Sequence, residues 1–137
     1  ASDIAFFDGR CSDVPVNCDA TTSTNVNVKG LWVASDFSGT ITQDLGHSFV
    51  VGSEDWIQYG GIFDGGNSLI DIDGPILLYA GQFNSTSGEL SVGWYQNLDQ
   101  TVLSVGAAAG FNHNSGLVTF DSTVGNCSGV VSTISNS

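Results

Sequence analysis

Glycine and short turns divide this chain into apolar stretches that are too short for helices. The 137 residues contain 18 Gly and only 2 Pro, and turn residues recur roughly every 8–12 positions, a spacing typical of all-β domains. Within the stretches apolar and polar residues alternate, as in Val26-Asn27-Val28 and Leu90-Ser91-Val92. This period of two is typical of strands with one buried side. The pattern predicts about ten short strands.

The segment 98–111 is the one place where helix propensity competes with the strand pattern. Ala107, Ala108 and Ala109 favour a helix by propensity. Gly106 and Gly110 flank them, and glycine inside an apolar run marks a strand that another backbone approaches closely. We therefore expect a buried strand in this segment rather than a helix.

The strand count predicts an antiparallel β-sandwich or a Greek-key, barrel-like fold. No linker, low-complexity tail or composition shift divides the sequence, so residues 1–137 are expected to form a single all-β domain. The segment 48–51, followed by Trp56-x-x-Tyr59 and Phe63-x-Gly65, resembles the Greek-key motif of the βγ-crystallins. That resemblance implies Greek-key topology, although the calcium loop of that family has no counterpart here.

The charge of the chain is strongly one-sided. Two cations, Arg10 and Lys29, stand against 14 carboxylates, and the formal net charge is −12. A surface without a basic patch cannot neutralise phosphates or dock on anionic lipid, which excludes nucleic acid and acidic membranes as partners. No apolar run approaches the roughly 20 residues that span a bilayer. Exposed strand edges favour a homodimer, whereas repulsion between acidic copies opposes it.

Several features indicate a secreted, extracellular glycoprotein. The sequence contains no Met and begins at Ala1, as expected of a mature chain whose leader has been removed. Sequons begin at Asn84 and Asn126 and predict N-glycosylation at both. The overall composition resembles that of small secreted proteins of filamentous fungi, several of which are lectins.

Three cysteines, Cys11, Cys18 and Cys127, allow one internal disulfide and leave one thiol over. A Cys18–Cys127 bond is favoured over the short Cys11–Cys18 loop, because closing a long loop removes more unfolded-state entropy. The remaining thiol is expected to be buried and inert, or else joined to a second copy or a ligand. Cys11-x6-Cys18 lacks the close spacing of a zinc site, and His47 and His113 lie far away. No metal site or other cofactor is predicted from these residues.

Aromatic residues with polar handles provide the predicted binding site. Two short segments combine such rings with amides, Trp56-Ile57-Gln58-Tyr59 and Trp94-Tyr95-Gln96-Asn97. A flat ring can stack on the apolar C–H face of a sugar, while Asp, Asn and Gln bind the hydroxyls. We therefore expect a non-enzymatic, lectin-like protein that binds a neutral carbohydrate through Trp56, Tyr59, Trp94, Tyr95, Gln96 and Asn97.

Two alternatives use other residues. Small residues at 106–109 leave room for an aromatic-lined cavity that would hold a lipid, a pigment or another apolar small molecule. Asp71 and Asp73 share one strand face at about 6.5–7 Å, near the separation of an inverting glycosidase pair. With Asp64 or Asn67 they would also suit Ca²⁺. The simplest interpretation leaves both Asp side chains facing water while Ile70 and Ile72 fill the core.

Overall fold

The computed structural model describes residues 1–10, 18–93 and 101–121. Within these ranges the chain forms thirteen strands, and all their pairings are parallel. The strands in chain order are β1 (Ile4–Phe7), β2 (Ala20–Thr22), β3 (Val26–Val28), β4 (Gly30–Val33), β5 (Thr40–Gln43), β6 (Phe49–Val51), β7 (Trp56–Gln58), β8 (Ile62–Asp64), β9 (Ile70–Ile72), β10 (Ile76–Asn84), β11 (Glu89–Gly93), β12 (Leu103–Asn112) and β13 (Leu117–Asp121).

The pairings fall into three series of five strands, and each series is one wall of a β-solenoid. The first wall contains β1, β4, β7, β10 and β12. The second contains β2, β5 and β8 with the later parts of β10 and β12. The third contains β3, β6, β9, β11 and β13. Because four steps join five strands, the chain makes about four turns, and β10 and β12 make the first two walls one continuous sheet.

This architecture overturns the predicted antiparallel sandwich or Greek-key barrel, and with it the topology implied by the crystallin resemblance. The all-β prediction is confirmed. Successive strands lie on successive walls and pair with strands one turn away, rather than with each other. One turn takes as few as 20 residues, from Trp56 to Ile76, and as many as 28, from Leu90 to Val118. Strand length and alternation are the same in both architectures, which is why those features alone did not separate them.

Inward side chains stack in columns, one residue per turn, and the columns from the three walls meet in the core. Their central members are all at most 2% exposed: Leu31, Trp56 and Ile76 on the first wall, Ile41, Phe63 and Phe83 on the second, and Phe49, Ile70 and Leu90 on the third. The Trp56 ring packs edge-on against Phe63 and Phe83, with centroids 4.7 and 5.0 Å away. Aromatic rings therefore fill the centre of the solenoid.

Two buried glutamines hold the corners from inside. Gln58 Nε2 donates to the carbonyls of Gly61 (3.3 Å) and Gln82 (3.1 Å), and its Oε1 accepts from Trp56 Nε1 at 3.3 Å. Gln43 does the same at another corner, where its amide group bonds three backbone groups. Buried polar backbone groups need such partners, so these side chains belong to the fold rather than to the surface.

The predicted strand in the segment 98–111 is confirmed as β12. A Cβ on Gly106 would lie 3.0 Å from the Tyr79 carbonyl oxygen, so the backbones of β10 and β12 do approach closely. The strand is more exposed than expected, since Ala107 and Ala108 face solvent. No helix in the part of the chain that the structure describes is long and apolar enough to cross a membrane.

Candidate functional site

The outward side chains of the first wall form an apolar surface. One column crosses β1, β4, β7 and β10, where residues at paired positions lie side by side, and a second column lies two residues further along the chain. We call these six side chains the aromatic face: Phe6, Trp32, Ile57 and Leu77 in the first column, and Tyr59 and Tyr79 in the second.

Four rings of this face are unusually exposed for their size. Phe6 is 57% exposed, Trp32 41%, Tyr59 46% and Tyr79 49%. Paired strands lie about 4.8 Å apart, so the column from Phe6 to Leu77 extends about 14 Å along the solenoid axis. Contiguous exposed apolar surface of this kind is a candidate interaction site.

The two tyrosines form a stacked pair. Their ring centroids are 4.6 Å apart and the ring planes differ by 6°. A small residue lies on each side of the pair. The Tyr59 N–H donates to the Val33 carbonyl at 2.8 Å, which places Ala34, the next residue, beside Tyr59. On the other side, Gly106 lies against the Tyr79 backbone. Because the rings cover each other's inner faces, their outer faces and hydroxyl-bearing edges carry the exposed area.

Trp32 is fixed by a hydrogen bond at the corner between the third and first walls. Its Nε1 donates to the Glu54 carbonyl oxygen at 3.4 Å, which satisfies its polar group while the ring stays partly open to solvent. The Glu54 carboxylate pairs with Lys29 Nζ at 2.8 Å. The neighbouring Asp55 carboxyl has a raised pKa, mainly because burial disfavours its charged form and secondarily because Glu54 repels it.

Of the predicted ligand contacts, Trp56 and Tyr59 lie on opposite sides of the first wall. Trp56 is completely buried among core rings, so its ring does not reach a ligand at the surface. Gln58 is buried with it, whereas Tyr59 lies on the aromatic face. The other four predicted contacts, Trp94, Tyr95, Gln96 and Asn97, lie outside the described residues.

The carboxylate pair of the hydrolase alternative lies away from the aromatic face. Asp71 is half-buried on the outer side of the third wall, and Asp73 is exposed directly after β9. Among the residues that the structure describes, no group of three or more His, Cys, Asp or Glu side chains is placed to hold a metal ion.

The predicted modification sites are only partly within the described ranges. Asn84 lies in β10 rather than in an exposed turn; its amide donates to Asp64 and accepts from Gln82 Nε2 at 3.1 Å. Ser85 and Thr86 of the same sequon are fully buried. Glycosylation at Asn84 stays a prediction, as does that at Asn126, which lies outside the described ranges.

Cys18 is disulfide-bonded. Both other cysteines, Cys11 and Cys127, lie outside the described residues.

The aromatic-lined cavity of the small-molecule alternative stays a prediction. Rings occupy the centre of the solenoid, and an open cavity of about 410 Å³ lies against the third wall and its corner. Polar and small side chains line that cavity, including Asn27, Lys29, Ser53 and Asp73. It offers no ring for a conjugated ligand.

Sequence reasoning missed most of the aromatic face. Trp32 stands between Leu31 and Val33 in an uninterrupted apolar run, so alternation gives no sign of which side chain faces out. Only the pairing of Trp32 with Phe6 and Ile57 reveals the column. The chain matches no known protein family, no curated protein and no solved structure, so its function must be argued from this geometry.

Proposed function

We propose that this protein is a non-enzymatic carbohydrate-binding protein that contacts its ligand with the aromatic face. The observation that carries the proposal is the set of four rings, Phe6, Trp32, Tyr59 and Tyr79, each 41–57% exposed on one wall of the solenoid. Rings with polar handles offer apolar area and hydrogen-bonding groups together, which is the combination that a sugar presents in return.

The charge of the surface supports a neutral ligand. The chain has only two cationic side chains, and a carboxylate neutralises each: Arg10 Nε lies 2.8 Å from Asp8, and Lys29 Nζ lies 2.8 Å from Glu54. With a net charge of −12, the surface repels phosphorylated, sulfated or acidic ligands. A hydroxyl-bearing neutral molecule carries no such penalty.

Amide groups border the aromatic face around one corner. Gln82, three residues after Tyr79, lies on the outer side of the second wall. Its Nε2 donates to Asn84, and the Asn84 amide donates to Asp64. Asn112 pairs with Asn84 in the next turn and extends this row of polar side chains. Amides and carboxylates next to exposed rings supply the directional hydrogen bonds that fix sugar hydroxyls.

Location outside the cell is part of the proposal. The disulfide at Cys18 supports it, because disulfides persist in oxidising compartments and are rare in the cytosol.

A glycan array followed by titration calorimetry tests the proposal. We expect the wild type to bind a neutral glycan, and Trp32→Ala and Tyr79→Ala each to weaken binding by roughly tenfold, equivalent to about 1.4 kcal/mol. Leu45→Ala is the matched control, since Leu45 is 67% exposed but lies away from the aromatic face. Absence of glycan binding by the wild type, or unchanged affinity in both ring variants, would overturn the proposal.

The stacked pair of Tyr59 and Tyr79 favours a second candidate, a planar conjugated small molecule. Such a ligand would stack on an outer ring face above Ala34 or Gly106, outside the solenoid rather than in a cavity. Protein purified from its source would then absorb beyond the aromatic band, and Tyr79→Ala would remove that absorption. A spectrum containing the aromatic band alone contradicts this candidate.

A further inference from the structure

We infer that the ligand of the aromatic face is an extended neutral glycan chain lying along the solenoid axis, across the strands, rather than a single terminal sugar. This inference rests on the proposed carbohydrate binding and specifies the ligand class for the same site.

The direction of the ligand follows from how the rings are distributed. Each of the four exposed rings comes from a different turn: Phe6 from the first, Trp32 from the second, Tyr59 from the third and Tyr79 from the fourth. Successive strands are about 4.8 Å apart, whereas the two columns are only about 6.6 Å apart along the strands. The exposed apolar strip is therefore longer along the axis than across it.

The shape of the strip favours a ligand longer than one sugar. Ile57 and Leu77 continue the first column beside Tyr59 and Tyr79 and are half-buried, so their side chains fill this part of the wall. A compact small ligand is normally bound in a concave site that covers most of its surface. On this wall one sugar ring would be covered from one side only, so useful affinity requires contacts with several rings at once.

The strip has a defined end in the fifth turn. Ser104 occupies the position that pairs with Leu77 and is exposed. The first column therefore changes there from an apolar to a polar side chain. A chain that follows the column loses its apolar contacts at this point, which sets an upper limit on the number of sugar units that add to the affinity.

Calorimetric titration with length-defined fragments of cellulose, chitin and linear β-1,3-glucan, from the monosaccharide to the hexasaccharide, tests the inference. For the fragment series that binds, affinity is expected to rise at least about tenfold from the monosaccharide to the tetrasaccharide and then to level off. Phe6→Ala and Tyr79→Ala, which remove opposite ends of the strip, should each flatten this rise.

A substitution that lengthens the strip tests the axial direction of the ligand more directly. Ser104→Tyr adds a ring at the polar end of the column and should move the plateau to longer fragments. Ser91→Tyr is its control, because Ser91 occupies an outward position on the third wall and the same ring there should leave the length dependence unchanged.

The possible results distinguish a failure of the extended-chain inference from a failure of the proposed function. Monosaccharide binding as tight as that of longer fragments would overturn the extended-chain inference and leave carbohydrate binding intact. An unchanged plateau in Ser104→Tyr would overturn the axial direction. A wild type that binds no fragment and no glycan on the array would overturn the proposed function, and the inference with it.

Discussion

The first and third walls of this solenoid share one backbone plan but carry opposite outer surfaces. The central inward residues of both walls are buried and apolar, such as Leu31 on the first and Ile70 on the third. The outward column of the third wall is mostly polar: Asn27, Val50, Asp71, Ser91 and Thr119. The outward column of the third wall contains no ring, and the exposed ring of its last strand, Phe120, stands at an inward position, paired with buried Val92. Folding of a wall therefore does not require outward rings like those of the first wall, which supports the proposed binding.

The largest expected effect is the difference in stability loss between removing an inward ring of the first wall and removing an outward one. Trp56→Ala removes a completely buried indole and is expected to lower the free energy of unfolding by about 3–5 kcal/mol. Trp32→Ala removes a partly exposed ring with one long hydrogen bond and should cost about 1 kcal/mol or less. Urea denaturation measures both. Equal losses would mean that Trp32 contributes to the core and would weaken its assignment to a binding surface.

Trp56 also shows where sequence reasoning failed. In Trp56-Ile57-Gln58 the alternation places Trp56 and Gln58 on one side of the strand, and a polar Gln58 indicates that this side faces out. Both residues are buried, because Gln58 is needed inside to bond the corner carbonyls of Gly61 and Gln82. Local polarity therefore indicates the wrong side of this strand.

Other elements followed directly from the pattern. Leu90 and Val92 alternate with polar neighbours and are both buried, as their spacing predicts. Pairing could not be read in the same way, because parallel registers join residues 20–28 positions apart through turns of unequal length. Without a constant repeat, the sequence shows strands but not walls, and an aromatic face exists only when strands are assembled into a wall.

An added side chain is expected to destabilise the protein more at Gly81, at the corner after the first wall, than at Gly46, at the corner before the third wall. Gly81 has φ +86°, and a Cβ there would lie 2.4 Å from the Gly61 carbonyl oxygen; Gly46 has φ +81° with nothing within 4 Å. Both alanine variants incur left-handed backbone strain of about 1–2 kcal/mol, and Gly81→Ala adds overpacking for a total of about 3 kcal/mol. Thermal unfolding compares them. Equal destabilisation would show that the backbone relieves the contact at Gly81.

Cys18 lies in the first turn of the solenoid, shortly before β2. A Cβ on the neighbouring Gly39 would lie 2.6 Å from the Cys18 carbonyl carbon, whereas Asp121 ends β13 four strand spacings away, about 19 Å. The six residues from Asp121 to Cys127 and the disulfide together reach at most about 26–28 Å, so a bond to Cys127 would use most of that reach along the solenoid axis alone. We therefore expect Cys18 to pair with Cys11, contrary to the expectation from loop entropy, with a stabilisation of about 2.5 kcal/mol.

Trypsin distinguishes the two pairings, because Arg10 and Lys29 are its only cleavage points. Without reductant, a Cys11–Cys18 bond releases the peptide 11–29 free and two hydrogens lighter than its reduced form. A Cys18–Cys127 bond would leave that peptide attached to the remainder of the chain, and mass spectrometry showing this would refute the pairing with Cys11.

The smallest expected effect lies where the third wall meets the first. Asp55 has φ +63°, a conformation that Asn also tolerates, so Asp55→Asn removes the charge while keeping the turn. Burial, and secondarily Glu54, raise the pKa of Asp55 above 3.8, so the folded state binds this proton more tightly than the unfolded state. The resulting contribution to stability is complete below pH 3.8 and is lost as the pH rises through the raised pKa.

At pH 7 the wild type therefore carries an unfavourable charge that Asp55→Asn lacks. Since solvent screens this partly exposed carboxylate, we expect the variant to be more stable by less than about 0.5 kcal/mol at pH 7, and the difference to disappear near pH 3.5. Thermal denaturation at the two pH values measures it. A variant that is less stable at pH 7 would mean that the Asp55 carboxylate stabilises the corner, so that the junction of the two walls depends on its charge.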